Sequence, residues 1–365
     1  MDTLKALIVD DTIVYRKIVG DVLKEIPGVE VIGVANNGKI ALSKIKTLKP
    51  DILTLDIEMP EVNGIEVLEQ LNQMPSPPVA IMLSTLTQKG SEMTIKALEL
   101  GAFDFVPKPD QGSMAENLEK VKQAIIPIID ALKRQKSTRD KIKNRPALSL
   151  RETRPAKPQA PFKNTHKRSR TIPSEIIGIG ISTGGPNALS AMIPLLPADL
   201  KAPVLIVQHM PPLFTKSLAN SLNKKSQLEV KEAEDGDKIE IGKIYIAPGG
   251  QQMKIVAGAD GISRKLKITD DPPINSCKPS VDYLFTSIAQ YYVGRATGVI
   301  MTGMGSDGSE GLKQMKDTGS IIIAQEESTC TVYGMPKKPV ESGITDVIAP
   351  LNRIAQEITK TVNII

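Results

Sequence analysis

Short, almost wholly apolar runs alternate along the chain with longer stretches whose apolar positions recur every three or four residues. In the first third, KALIVD, VEVIGVA, DILTLD, VAIMLS and AFDFVP read as five buried strands. TIVYRKIVGDVLKEI and KGSEMTIKALELG read as amphipathic helices between them. This alternation predicts βα units, and hence a parallel sheet with helices on both faces. GVE, ANNGK and EVNG supply turn chemistry at the joints.

The pattern resumes near residue 173. IIGIGIS, VLIVQHM, KIYIAP, ATGVIMTGM and SIIIAQ predict buried strands. GPNALSAMIPLL, FTKSLANSLN, SVDYLFTSIAQYY, GSEGLKQMKDTG and LNRIAQEITKTV predict helices. MKIVAGADGISRKLKITD alternates around Asp-Gly, which signals an antiparallel hairpin. The second unit is expected to be a doubly wound α/β domain with that hairpin attached. At 365 residues the chain exceeds one ordinary core, so the expected division is 1–130, a linker at 131–172, and 173–365.

Charge sharpens the middle boundary. Residues 133–170 hold fourteen Lys or Arg against two Asp or Glu, so this surplus of twelve exceeds the whole chain's net +5. The remainder is mildly acidic. Several Pro and little apolar periodicity make the segment a solvated, semi-flexible tether. A basic stripe for nucleic acid would sit on a folded face instead, and no nucleic-acid partner is expected. Two Cys without framework spacing suggest a reducing compartment. No run approaches the ~18 apolar residues of a membrane span, and the N-terminus lacks a signal peptide's layout. A cytoplasmic protein without membrane insertion is expected.

In an open parallel sheet, chemistry collects at the carboxyl ends of the strands. Asp10 and Asp11 end the first strand, Asp56 ends the third, Ser84 ends the fourth and Lys108 follows the fifth. Three converging carboxylates call for a hard cation, and Mg²⁺ with oxygen ligands fits. One such carboxylate can attack phosphorus, with the Lys and the Ser hydroxyl holding phosphoryl oxygens. VDD, LDIEMPEVNG, the LS pair at 83–84 and DFVPKP resemble the receiver domain of two-component response regulators, a flavodoxin-like (βα)5 fold, over residues 1 to about 125. The resemblance implies phosphorylation of Asp56 by a histidine kinase, Mg²⁺ on Asp10, Asp11 and Asp56, and phosphoryl contacts from Ser84 and Lys108. It also puts Phe105 at the aromatic position that swings inward on activation.

GIGISTGGPNA at 178–188 poses a separate question. Gly180 to Gly184 fits G-x-S-x-G, a strand-to-helix turn that exposes a nucleophilic serine, here Ser182. A dinucleotide loop would need a third glycine and an acid about 20 residues on, and neither is in place. Of the two His, His166 lies in the tether and His209 ends the apolar strand VLIVQHM. His209 is therefore the candidate base. The acid that would fix its tautomer could be Asp235, Asp237, Asp271, Asp282 or Asp307; Asp307 stands out in VIMTGMGSDGSEG, another strand followed by a glycine-rich turn. Backbone N–H groups of Met304 or Gly305 there could face an oxyanion. Cys330, with no second usable His, is a minor alternative nucleophile.

A receiver joined by a basic tether to ISTGGP, VQHMPPLFTKSLA, YIAPGG, PSVDYLF, TGMGSDG and TCTVYGMP resembles the chemotaxis protein-glutamate methylesterase (CheB) family over nearly all of the chain. The resemblance implies Ser182, His209 and Asp307 as a triad, Thr183 beside the serine and Met304 as backbone oxyanion donor. It also implies hydrolysis of glutamate methyl esters on chemoreceptors, with deamidation of receptor glutamines. Methyl-accepting chemoreceptors and a chemotaxis histidine kinase are the expected partners, and the esterase step is expected to need no cofactor. The receiver is expected to cover the catalytic cleft until Asp56 is phosphorylated. Gln252 and Cys277 stand where relatives often have His, and Ser221 where they often have Arg. The competing reading is a DNA-binding response regulator, which requires a helix-turn-helix module in the second half.

Overall fold

The computed structural model describes residues 3–109, 111–143 and 172–363, of which 135–143 by backbone alone. The expected tether therefore lies mostly outside the described residues, as does His166. The first domain runs β1 (Leu4–Val9), α1 (Ile13–Glu25), β2 (Val29–Ala35), α2 (Gly38–Leu48), β3 (Ile52–Asp56), α3 (Gly64–Leu71), β4 (Val79–Thr85), α4 (Gln88–Glu99), β5 (Asp104–Lys108) and α5 (Met114–Lys143). All five strands are parallel in the order β2-β1-β3-β4-β5. The order reverses between β1 and β3, so a crevice opens where Asp10, Asp11 and Asp56 emerge.

Helix α5 continues thirteen residues past the boundary expected at 130. The reason is packing. Val121, Ile125, Ile128, Ile129 and Leu132 share one buried face against α1 and β5, and this helical spacing carries the helix through Pro127 despite the missing N–H.

The second domain runs β6 (Ile176–Ile181), α6 (Gly185–Met192), β7 (Val204–Gln208), α7 (Phe214–Asn223), β8 (Glu229–Glu232), β9 (Lys243–Ile246), β10 (Gln252–Ala257), β11 (Arg264–Thr269), α8 (Val281–Tyr291), β12 (Ala296–Ile300), α9 (Ser309–Asp317), β13 (Ile321–Gln325), α10 (Lys337–Glu341), β14 (Val347–Ala349) and α11 (Leu351–Val362). Seven parallel strands form one sheet, β14-β13-β12-β6-β7-β9-β8, and β10 pairs with β11 as an antiparallel hairpin. Residues β6, β7 and β12 contribute are buried throughout, as all-parallel strands covered on both faces must be. The order reverses at β6, between β12 and β7, which puts a second crevice beyond these three strand ends. A doubly wound α/β domain stands where the DNA-binding reading required a helix-turn-helix module.

The two domains pack against each other. Helix α4 lies on α7 and α6, and Phe105 stacks on Phe214 with ring centroids 4.6 Å apart and planes 18° from parallel. Buried Ser91 and Ser217 hydroxyls meet at 2.7 Å, and Lys225 pairs with Glu99 at 2.7 Å. Ser221 also donates to Glu99. The apolar core runs unbroken from the receiver into the second domain across this seam.

Candidate functional site

Ser182 directly follows β6, and its N–H donates to the Thr302 carbonyl at 3.0 Å. The glycines around it serve packing. A Cβ on Gly180 would sit 2.4 Å from Val281 Cγ1, so that position lets α8 press on the strand. A Cβ on Gly303 would lie 2.7 Å from the Ser182 Cβ and 2.3 Å from Met335 Sδ, so only glycine lets the β12 loop approach the serine. Gln208, buried at the end of β7, donates from Nε2 to the carbonyls of Ser182 at 3.0 Å and His209 at 3.3 Å. It clamps the two strand ends side by side.

His209 leaves β7 with its N–H on the Ile181 carbonyl at 3.1 Å. Its Nε2 lies 2.9 Å from Asp307 Oδ2, which selects Asp307 among the five candidate acids. Asp235 and Asp237 pair with Lys267 and Lys231, Asp271 accepts from Tyr283, and Asp282 accepts from Gly311 N–H at 2.7 Å. Asp307 is buried yet amply satisfied: Val281 N–H donates to Oδ2 at 2.7 Å, and Ser280 Oγ and Asp282 N–H donate to Oδ1 at 2.9 and 3.2 Å. Asn275 Nδ2 adds a long fourth contact at 3.4 Å.

These donors hold the carboxylate ionised. Burial alone would raise the Asp307 pKa, but His209 and the backbone donors outweigh it and bring it to about 2. Burial likewise disfavours charge on His209, yet the Asp307 hydrogen bond and the Cys277 thiol beside the ring raise it to about 9. Cys277 Sγ lies 3.9 Å from His209 Nδ1. Among the described residues, Ser182 Oγ makes no hydrogen bond to His209. The serine and the imidazole are thus neighbours across β6 and β7, with their hydroxyl–nitrogen contact unmade in this closed form.

Met304 and Gly305 sit in the loop that Gly303 presses against Ser182, and no partner for either N–H occurs among the described residues. Thr183 faces the receiver beside Asp104, whose carboxyl is enclosed although the residue as a whole is only half-buried. That burial, opposed by the Phe105 N–H and Thr183, pushes Asp104 up to about 6. Cys330 is no rival nucleophile, since burial and nearby Glu327 and Glu326 push its thiol up to about 12.

In the first crevice, Lys108 Nζ contacts Asp10 Oδ2 at 2.6 Å and Asp56 Oδ2 at 2.7 Å. Burial pushes Asp56 up to about 6 despite Lys108, with Asp10 and Asp11 adding repulsion. Oxygen atoms of Asp10, Asp11 and Asp56 all lie within 4.8 Å of one another, a hard-donor set that suits Mg²⁺. Ser84 is turned elsewhere. Its hydroxyl donates to the Gly90 carbonyl at 3.3 Å and accepts from Thr94 Oγ1 at 2.6 Å, both on α4.

Sequence reasoning passed over Asp104, Gln208, Asn275 and Ser280. Asp104 reads as an ordinary acid at the start of a strand, and Asn275 and Ser280 lie in PPINSCKPS, whose composition signals only a loop. Cys277, a departure from relatives, sits in the same loop, and Gln252 is structural. The Gln252 side chain donates to the Pro272 and Cys277 carbonyls and accepts from Ser280 N–H, bracing the loop that carries Cys277.

Known proteins agree with this architecture. The CheB methylesterase family model matches residues 177–358, and the response regulator receiver model matches residues 6–119. A protein-glutamate methylesterase/protein-glutamine glutaminase of Desulfotalea psychrophila is 54% identical over 100% of both chains. The Bacillus subtilis protein of that name is 43% identical over 98% of both. The crystal structure of the Thermotoga maritima CheB methylesterase catalytic domain, 40% identical, superposes with a TM-score of 0.50 over 52% of this chain and 100% of that one. Full-length identity to such relatives, on a receiver joined to a doubly wound hydrolase fold, establishes that the chain belongs to the CheB family of receiver-controlled methylesterases.

Proposed function

We propose that this chain hydrolyses glutamate methyl esters on methyl-accepting chemoreceptors, and deamidates receptor glutamines, through Ser182, His209 and Asp307. The observation that carries the reading is the 2.9 Å contact between His209 Nε2 and a buried Asp307 fed by backbone and side-chain donors, one strand from Ser182. With Nε2–H on Asp307, Nδ1 is the nitrogen left to take the serine proton. Ser182 Oγ attacks the ester carbonyl, and the resulting oxyanion meets the Met304 and Gly305 N–H groups. His209 then returns the proton to the departing methanol, or to ammonia from a glutamine. Water repeats the sequence and frees the glutamate. Asp307 stays ionised throughout and steadies the imidazolium.

The closed form is not the reactive one. The serine contact is unmade, and the receiver's Asp104 lies against Thr183. The receiver sits on the segments that follow β6 and β7, so docking and catalysis compete for the same loops. Release begins at Asp56, phosphorylated by a chemotaxis histidine kinase. Asp10, Asp11 and Asp56 would hold Mg²⁺, which when bound offsets the charge of an incoming phosphoryl group. Lys108 would shift its contact from the Asp56 carboxylate to the phosphoryl oxygens. Ser84 would turn toward them as well, giving up Gly90 and Thr94 and so freeing α4 to move against α7.

No helix among the described residues is long and apolar enough to cross a membrane, and a cytoplasmic site of action fits substrates on the inner parts of receptors. Methanol release from methylated receptor, with and without a small-molecule acyl phosphate donor, tests the scheme. Turnover should rise with the donor and vanish in Ser182→Ala. Turnover that survives Ser182→Ala would overturn the serine mechanism.

A further inference from the structure

We propose that Cys277 and His209 form a binding site for a thiophilic divalent cation such as Zn²⁺, and that occupancy of this site switches the hydrolase off. Two donors of different softness are brought together from separate elements. Cys277 Sγ stands 3.9 Å from His209 Nδ1, and the described residues offer Nδ1 no other hydrogen-bond partner. Zinc bonds of about 2.3 Å to sulfur and about 2.0–2.1 Å to nitrogen meet at a tetrahedral angle when the donors are about 3.6 Å apart. Closing a few tenths of an ångström is within side-chain reach.

The surroundings hold both donors in place. Cys277 lies in a tight turn closed by paired hydrogen bonds with Ile274, in which Asn275 and Ser276 adopt φ of 52° and 61°. Gln252 braces that turn through the Cys277 carbonyl, and Asn275 ties it to Asp282 at 2.9 Å. On the other side of the ring, Asp307 accepts from Nε2, the carboxylate–histidine arrangement that fixes the tautomer with Nδ1 open to a metal. Binding would release the thiol proton and any proton on Nδ1, with water completing the coordination. The carboxylate trio of the receiver is the contrasting case: all oxygen, and suited to Mg²⁺.

The inhibitory half rests on the reading of His209 as the base, because a metal on Nδ1 removes the lone pair that would accept the Ser182 proton. The metal half does not depend on it. The full-length protein in excess Mg²⁺, which satisfies the receiver's carboxylates, is titrated with Co²⁺ as an optical probe. One equivalent should give a sulfur-to-cobalt charge-transfer band that Zn²⁺ displaces, that Cys277→Ser abolishes and that Cys330→Ser retains. Methanol release, scored against each variant's own metal-free rate, should fall with Zn²⁺ and recover with a chelator. Cys277→Ser should raise the concentration for half-inhibition at least about tenfold, and Cys277→His should restore inhibition without the sulfur band. Absence of the band, or its persistence in Cys277→Ser, overturns the site. A band with undiminished turnover overturns the inhibition. A metal-free enzyme with no turnover counts against the esterase reading alone, since the band still decides the site.

Discussion

Replacing Asp104 with Asn should tighten the grip of the receiver on the catalytic domain. The carboxyl sits between the domains with Thr183 beside it, accepts from the Phe105 N–H, and is pushed up to about 6 mainly by burial. Two units above the ordinary value correspond to about 3 kcal/mol against ionisation. Part of that burial belongs to the receiver itself, so about 1–2 kcal/mol falls on docking, or roughly five- to thirtyfold in the open population. The sign follows from the raised pKa. The docked form is favoured fully below about pH 4, and the advantage is lost as pH rises through about 6. At neutral pH, wild type therefore docks against an ionisation penalty that Asn lacks. The assay is methanol release by the full chain divided by that of a fragment spanning 173–365, from pH 5 to 8, a ratio that cancels the intrinsic titration of the site. Wild type should show deeper inhibition at pH 5 than at pH 7.5, and Asp104→Asn should be deeply inhibited at both. Higher basal turnover in Asp104→Asn, or an unchanged pH slope, would refute the reasoning.

Phe105→Ala deletes the receiver's half of the ring stack, worth about 0.5–1.5 kcal/mol beyond area, so basal turnover should rise about two- to tenfold while Asp56 still takes up phosphate. Asp307→Asn should lower kcat by about 10³–10⁴-fold with little change in receptor binding, read by turnover alongside a pull-down on receptor fragments. Ser84→Ala should still accept phosphate on Asp56, yet a phosphodonor should raise its turnover far less than in wild type, because no hydroxyl remains to exchange α4 for the phosphoryl group. Full activation of Ser84→Ala would remove that coupling.

Most of the scaffold is written in local pattern. Runs such as IIGIGIS and VLIVQ read as strands covered on both faces, and their ends point to Ser182 and His209 as candidates. Two strands escape that logic. Glu229–Glu232 is an edge strand of mostly charged residues, and Val347–Ala349 is three residues long; both exist because a neighbour offers hydrogen bonds. Likewise the continuation of α5 past 130 draws on the packing of Ile128, Ile129 and Leu132. Pattern singles out Asp307 by its strand and glycine-rich turn, but it does not show what the carboxylate would meet. Only the β12–α8 approach, permitted by small residues, gives Asp307 its donors. Contacts that cross the domain seam, Asp104 with Thr183 above all, depend on two surfaces fitting and leave no trace in either stretch alone.

The seam also limits how freely the N-terminal half can be exchanged. Ser91, Glu99, Asp104 and Phe105 each meet a named counterpart in Ser217, Lys225, Thr183 and Phe214. A receiver grafted from another regulator would keep its own phosphorylation chemistry and lose that matching set. Such a chimera should show high basal turnover that a phosphodonor no longer changes.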